Sequence, residues 1–133
     1  MDKNSIKLLK EKYKDAIEIE TGFEVEYLPG QEQNLLELKS ETDKIILGQH
    51  FIYDENKNIK FLRRQKFTDE DALKYAKYIK IAIEKNIPDI IAHPDVYMLS
   101  RDNYTEVDEK VAHIICSTAE KYGIPIEINL SHP

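Results

Sequence analysis

Asp89-Ile90-Ile91-Ala92-His93-Pro94-Asp95 is a short apolar run that ends in a histidine, a proline and an aspartate. It follows Asn86-Ile87-Pro88, where the residue before proline resists helical geometry, so Asp89 to His93 reads as a buried strand entered straight from a helix. The last residues of such a strand emerge at the sheet edge with metal-binding chemistry exposed. Ile45-Ile46-Leu47-Gly48-Gln49-His50 repeats the design, and so does the stretch from Ile17 to Glu26 through Gly22-Phe23-Glu24-Val25-Glu26. Each strand therefore delivers a ligand-type residue: Glu24, His50 or His93.

The neighbouring segments give these strands their setting. From Ser5 to Ala16, Ile6, Leu9, Tyr13 and Ala16 recur at helical steps among lysines, which predicts a helix packed by one face. Ile17 to Tyr27 alternates apolar and charged residues around Thr21-Gly22, the pattern of a strand with a bend or bulge. Leu28-Pro29-Gly30 is a turn, and Gln31 to Ser40 reads as a short helix. Asp43 to Phe51 is a strand whose Ile45-Ile46-Leu47 lacks alternation, as expected when both sheet faces are covered. Tyr53 to Phe67 shows neither period and carries Lys57, Lys60, Arg63, Arg64 and Lys66. A long irregular segment of this kind is usually functional or disordered.

Thr68-Asp69-Glu70-Asp71 reads as a helix cap, with Ala72, Leu73, Tyr75, Ala76, Ile79 and Ile83 on the buried face. Tyr97 to Tyr104 is a polar connection. Thr105-Glu106-Val107-Asp108 repeats the cap, and Val107, Val111, Ile114, Ile115, Ala119 and Tyr122 form a stripe closed by Gly123. Ile124 to Asn129 is a last strand. Helices alternating with strands predict an α/β fold with a parallel sheet, in which sites form at the carboxyl ends of strands. Glu24, His50, His93 and Asn129 all fall at or near such ends.

The 133 residues suit one domain with one core. No run approaches the roughly 20 apolar residues of a membrane span, and the start lacks a signal-peptide pattern, so a cytoplasmic location is expected. The single cysteine, Cys116, permits no internal disulfide and reads as a small core residue. A net charge of −6 argues against broad nucleic-acid binding.

Histidines and a carboxylate converging from separate strands suit a divalent cation such as zinc, manganese or iron, which would lower the pKa of a water to about 7. The bland alternative is that each histidine is a hydrogen-bonded structural residue at a strand end. The basic segment Lys57 to Lys66 reads either as a solvated loop or as a lid in which Arg63 or Arg64 holds a phosphate by a bidentate contact. Arg101, on the loop after His93, is a comparable phosphate candidate. His113 lies at the edge of an apolar stripe and reads as structural.

Taken together, Gly22-Phe23-Glu24-Val25-Glu26-Tyr27-Leu28-Pro29-Gly30, Leu47-Gly48-Gln49-His50-Phe51-Ile52, Ile91-Ala92-His93-Pro94-Asp95 and Ile126-Glu127-Ile128-Asn129 resemble, in order and spacing, the middle of the PHP (polymerase and histidinol phosphatase) family. The Tyr-Leu-Pro-Gly turn and the insert after His50 resemble its histidinol-phosphatase branch. The resemblance implies the parallel-stranded part of a distorted, TIM-like (β/α)7 barrel that hydrolyses a small phosphomonoester with metal-activated water. It implies Glu24, His50 and His93 as metal ligands and catalytic residues, with Glu24 bridging metals. Glu26 would then lie behind the ligands, and Asp95 would orient His93.

The sequence departs from the family pattern in lacking the His-x-His strand that opens it and the Asp-x-His motif that closes it. Residues 1–133 are accordingly expected to form one partial PHP domain with an incomplete metal site, inactive or nearly so, and assembled as a homo-oligomer over its unpaired strand edges. The competing reading is a non-catalytic PHP-like domain that binds a metal or a partner. His132, in Ser131-His132-Pro133, reads as an exposed tail residue.

Overall fold

A computed structural model describes residues 2–129, so His132 lies outside the described residues. Helix α1 spans Lys3–Tyr13, shorter than the expected Ser5 to Ala16, and is capped by Asp2, whose carboxylate accepts from the Ser5 N–H at 2.8 Å. It buries no residue fully. Ile6 and Leu9 are half-buried, and the helix is tied down by Lys3 to Glu41 at 3.1 Å and Lys10 to Asp43 at 2.5 Å.

Strand β1 is confined to Gly22–Val25, and the residues from Ile17 to Thr21 carry no regular structure. Helix α2 (Glu32–Ser40) buries Leu35, and β2 follows at Lys44–Leu47. Beyond β2, the segment without periodicity holds an antiparallel hairpin, β3 (Phe51–Tyr53) with β4 (Ile59–Phe61). Strands this short cannot display an alternation. Their turn is built by Asp54, whose carboxylate accepts from the N–H groups of Asn56 and Asn58, both at 2.8 Å, while Lys57 takes a left-handed φ of 63°.

Helix α3 (Asp69–Glu84) starts at a reciprocal cap between Thr68 and Asp71, as its sequence predicts. Strand β5 (Ile90–Ile91) leads into a 3-10 turn at Val96–Ser100, inside what the sequence shows only as a polar connection. Helix α4 (Glu106–Tyr122) has the second reciprocal cap, Thr105 with Asp108, and ends on Gly123 at φ 66°. The expected last strand is reduced to one parallel bridge, Ile91 with Ile126.

The sheet runs β1-β2-β5, all parallel, with Val25, Leu47 and Ile91 in one cross-strand row and Glu24, Ile46 and Ile90 in the next. The first row points toward the helices: Ile45, Leu47 and Ile91 pack with Ala72, Tyr75, Ala76, Ile79 and Ile83 of α3 and Val111, Ile115 and Ala119 of α4. Ile46 is only half-buried, so the described residues cover one sheet face rather than the two expected from Ile45-Ile46-Leu47. The fold is thus mixed α/β around an open, parallel three-stranded sheet, with Glu24 in the row that faces away from the helices. Two placements on the helices differ from the sequence reading. Leu73 is 36% exposed, and Cys116 lies exposed on the outer side of α4 because it falls off the stripe that Ile115 and Ala119 define.

Candidate metal centre

Parallel strands in register deliver their following residues to the same edge, and the ladder continues past the strands to hold them there. The Gly48 N–H donates to the Val25 carbonyl at 3.0 Å and the Ala92 N–H to the Leu47 carbonyl at 2.9 Å. Glu24, His50 and His93 consequently converge, with one ligand atom from each lying within 4.8 Å of the others. Glu24 Oε1 is 3.3 Å from His93 Nε2 and 4.0 Å from His50 Nε2, and the two imidazole centroids are 4.7 Å apart.

The two histidines are held in different ways. Glu26 grips His50 twice: one carboxylate oxygen lies 2.6 Å from Nδ1 and the other accepts from the backbone N–H at 2.7 Å. A carboxylate on Nδ1 favours the tautomer with the proton there, leaving the Nε2 lone pair for a cation. Burial pushes the Glu26 carboxyl above its usual range, and the two bonds from His50 oppose that shift. His93 adopts φ 31°, and its N–H donates to Glu127 at 2.9 Å. Its Nδ1 is buried without a hydrogen-bond partner, so Asp95 does not orient the ring as the family resemblance implied.

Two residues that the sequence reading passed over make the convergence feasible. A Cβ added to Gly48 would lie 2.0 Å from Glu24 Oε1, so the carboxylate occupies the space a side chain would fill. Gln49 is 1% exposed and ties the exits of β1 and β2 together. Its amide accepts from the Tyr27 N–H at 2.9 Å and donates to the carbonyls of Tyr27 at 3.0 Å and Phe51 at 2.6 Å. A glycine and a buried glutamine directly before a strand-end histidine were the available signal.

The arginines are placed differently from the ligands. Arg101 is engaged internally: its guanidinium donates to both Asp108 oxygens at 3.1 Å, to Asp69 at 2.5 Å and to the Phe67 carbonyl at 3.0 Å, with the side chain 6% exposed. Those contacts engage all three guanidinium nitrogens within the fold. Arg63 and Arg64 lie just after β4, where the Leu62 N–H donates to the His50 carbonyl at 2.9 Å. Arg63 takes φ 63° and its N–H donates to Ser100 Oγ at 2.8 Å, while the Arg64 guanidinium lies 5.3 Å from the Phe61 ring centroid. Asn129 follows the Ile126 bridge and is half-buried, and His113 is exposed on α4.

No family model matches the sequence, and no curated protein sequence matches it. The fold has a solved counterpart. The chain is similar to a Listeria monocytogenes protein provisionally assigned as the histidinol phosphatase HisK, with a TM-score of 0.73 and 20% sequence identity. The match covers 96% of this chain and 57% of that one, so the chain spans little more than half of its counterpart's length. At that identity the likeness shows the fold alone. No described helix is long and apolar enough to cross a membrane.

Proposed function

We propose that the chain is a divalent-metal-dependent phosphoesterase of the PHP type, akin to histidinol-phosphate phosphatase, acting on a small phosphomonoester. The observation that carries this reading is the convergence of Glu24, His50 and His93 at one edge of the parallel sheet. The donor set fits a cation: two imidazoles and a carboxylate suit zinc, manganese or iron, and Glu26 already holds His50 with Nε2 turned to the cluster. A cation bound there would lower the pKa of a water and offset negative charge on phosphoryl oxygens. Glu24, 52% exposed at its side chain, supplies the anionic donor, and His93 supplies the second imidazole. Arg63 and Arg64, on the loop whose Leu62 N–H donates to the His50 carbonyl, are our candidates for a phosphate contact.

A second reading is favoured by the donor count. Three protein donors among the described residues suffice for one cation and fall short of the multi-metal cluster that the family resemblance implies. Under that reading the domain binds metal or a partner without turnover. Both readings are tested by metal analysis of protein purified without chelator, paired with hydrolysis of histidinol phosphate and p-nitrophenyl phosphate, using Glu24→Ala as control. Metal retention with metal-dependent hydrolysis supports the phosphatase. Retention without hydrolysis supports the binding domain. Absence of metal in both proteins overturns the site.

We further propose self-association. The outer edge of β1 has no strand partner among the described residues, Phe23 on it is 38% exposed, and Ile17 and Leu8 are 59% and 72% exposed. Light scattering at micromolar concentration is expected to give more than one chain per particle, and a monomer would overturn this.

A further inference from the structure

The backbone N–H groups of the two histidines meet the same kind of partner. That of His50 donates to a Glu26 carboxylate oxygen at 2.7 Å, and that of His93 to a Glu127 carboxylate oxygen at 2.9 Å. The strand register shows what these carboxylates replace. Ile91 pairs with Ile126 in parallel, its N–H donating to the Pro125 carbonyl at 3.0 Å and its carbonyl accepting from the Glu127 N–H at 2.8 Å. In a parallel ladder the next rung would run from the His93 N–H to the Glu127 carbonyl. The Glu127 side chain makes that rung instead. Beyond the Val25 and Leu47 pair, the rung from the His50 N–H would likewise fall to the Tyr27 carbonyl, which accepts from Gln49 at 3.0 Å while Glu26 takes the N–H. A rung made by a side chain lets the main chain leave the strand without stranding its N–H.

We infer that Glu127 is a positioning residue for the proposed metal centre, its carboxylate completing the ladder in place of a backbone carbonyl and so holding His93 in the left-handed conformation that turns its ring to Glu24. His93 leaves the strand at φ 31°, which is disfavoured for a residue with a Cβ and has to be held from outside. The grip on its backbone comes from both sides, since its carbonyl accepts from the Val96 N–H at 3.0 Å as the 3-10 turn begins. His50 is less dependent on such a grip, because Glu26 also holds its ring at Nδ1, 2.6 Å away. Among the described residues nothing bonds the Nδ1 of His93, so the aim of its Nε2 at Glu24, 3.3 Å away, rests on the backbone. Glu127 is not one of the three converging donors, and its part is that of an acceptor rather than a ligand. The inference rests on the metal reading given above.

The experiment is a calorimetric titration of the chain with zinc alone, for wild type, Glu127→Ala and Glu127→Gln, alongside amide hydrogen exchange of the metal-free proteins. Glu127→Ala is expected to weaken zinc binding roughly 10-fold, the scale of groups that orient metal ligands. Glu127→Gln keeps a carbonyl oxygen for the same N–H and is expected to bind within about 3-fold of wild type. Without metal, the His93 amide should exchange faster in Glu127→Ala than in wild type or Glu127→Gln, while the Ala92 amide, bonded to the Leu47 carbonyl, keeps its rate. A Glu127→Gln chain as weak as Glu127→Ala would overturn the inference, because the charge and not the acceptor would then matter. Unchanged His93 exchange in Glu127→Ala would sink it without reference to metal. A wild-type chain that binds no zinc removes the metal reading and this role with it, whereas wild-type binding with no loss in Glu127→Ala removes this role alone.

Discussion

The cluster of Glu24, His50 and His93 and the cluster of Arg101, Asp69 and Asp108 sit on successive parts of the same fold, yet they use charge in opposite ways. In the second, every nitrogen of a nearly buried guanidinium meets an oxygen, and Asp108 also accepts from Tyr97 and from the Thr105 N–H. Burial alone would push the Asp108 carboxyl up, but those bonds outweigh it and leave it below the usual range. In the first, a carboxylate oxygen and two imidazole nitrogens converge at an open edge, with Glu24 Oε1 3.3 Å from His93 Nε2, within hydrogen-bond reach, and 4.0 Å from His50 Nε2. A cluster whose members satisfy each other holds the fold together, whereas three donor atoms at an open edge leave room for the cation proposed above.

The largest effect that tests this contrast is loss of a donor. Glu24→Ala should reduce zinc or manganese affinity by more than about 100-fold in calorimetric titration, beyond the range for groups behind the ligands, while unfolding in denaturant stays near wild type. Retained affinity would make the convergence incidental. The mirror experiment is Arg101→Met, which strands Asp108 in the interior and should cost about 3–5 kcal/mol in equilibrium unfolding with metal affinity unchanged. A loss of metal binding without a loss of stability would reverse the assignment of the two clusters.

Gly48→Ala gives a finer cut. The added carbon displaces the end of a flexible carboxylate rather than backbone, so the fold should survive while metal affinity drops about 10-fold. The smallest effect is on acid stability. Asp108 is depressed in the folded state, so its contribution is complete above the unfolded value of about 3.8 and is lost as pH falls through the lower folded value. Unfolding midpoints measured below pH about 4 should therefore fall for wild type more steeply than for Arg101→Met, in which that contribution is already gone.

The legible parts of the molecule were those in which one short segment determines its own geometry. Thr68 to Asp71, Thr105 to Asp108 and Gly123 mark helix ends by local chemistry, and the structure places the boundaries there, whereas α3 stops at Glu84, ahead of Pro88. The convergence of Glu24, His50 and His93 was legible because all three fall at strand ends. The β3–β4 hairpin was not, since its pairing depends on Phe51 meeting Phe61 across a turn set by Asp54, and three-residue strands carry no period. The internal partners of Arg101 were hidden for a related reason. A guanidinium after a strand looks the same in sequence whether it meets a phosphate or two aspartates brought in by the starts of α3 and α4. Exposure of Cys116 and half-burial of Ile46 likewise follow from which sheet face the helices cover, which composition does not encode.

His93 carries a consequence in evolutionary terms. Its φ of 31° lies where a side chain with a Cβ is disfavoured and where glycine or asparagine is at ease. Residues held in such regions cost of order 1–3 kcal/mol, so a lineage no longer selected for a ligand at this position gains stability by drifting to glycine or asparagine there before it loses anything else. The proposed metal site therefore predicts that a relative which keeps the fold but reads Gly or Asn at position 93 binds no metal at this edge.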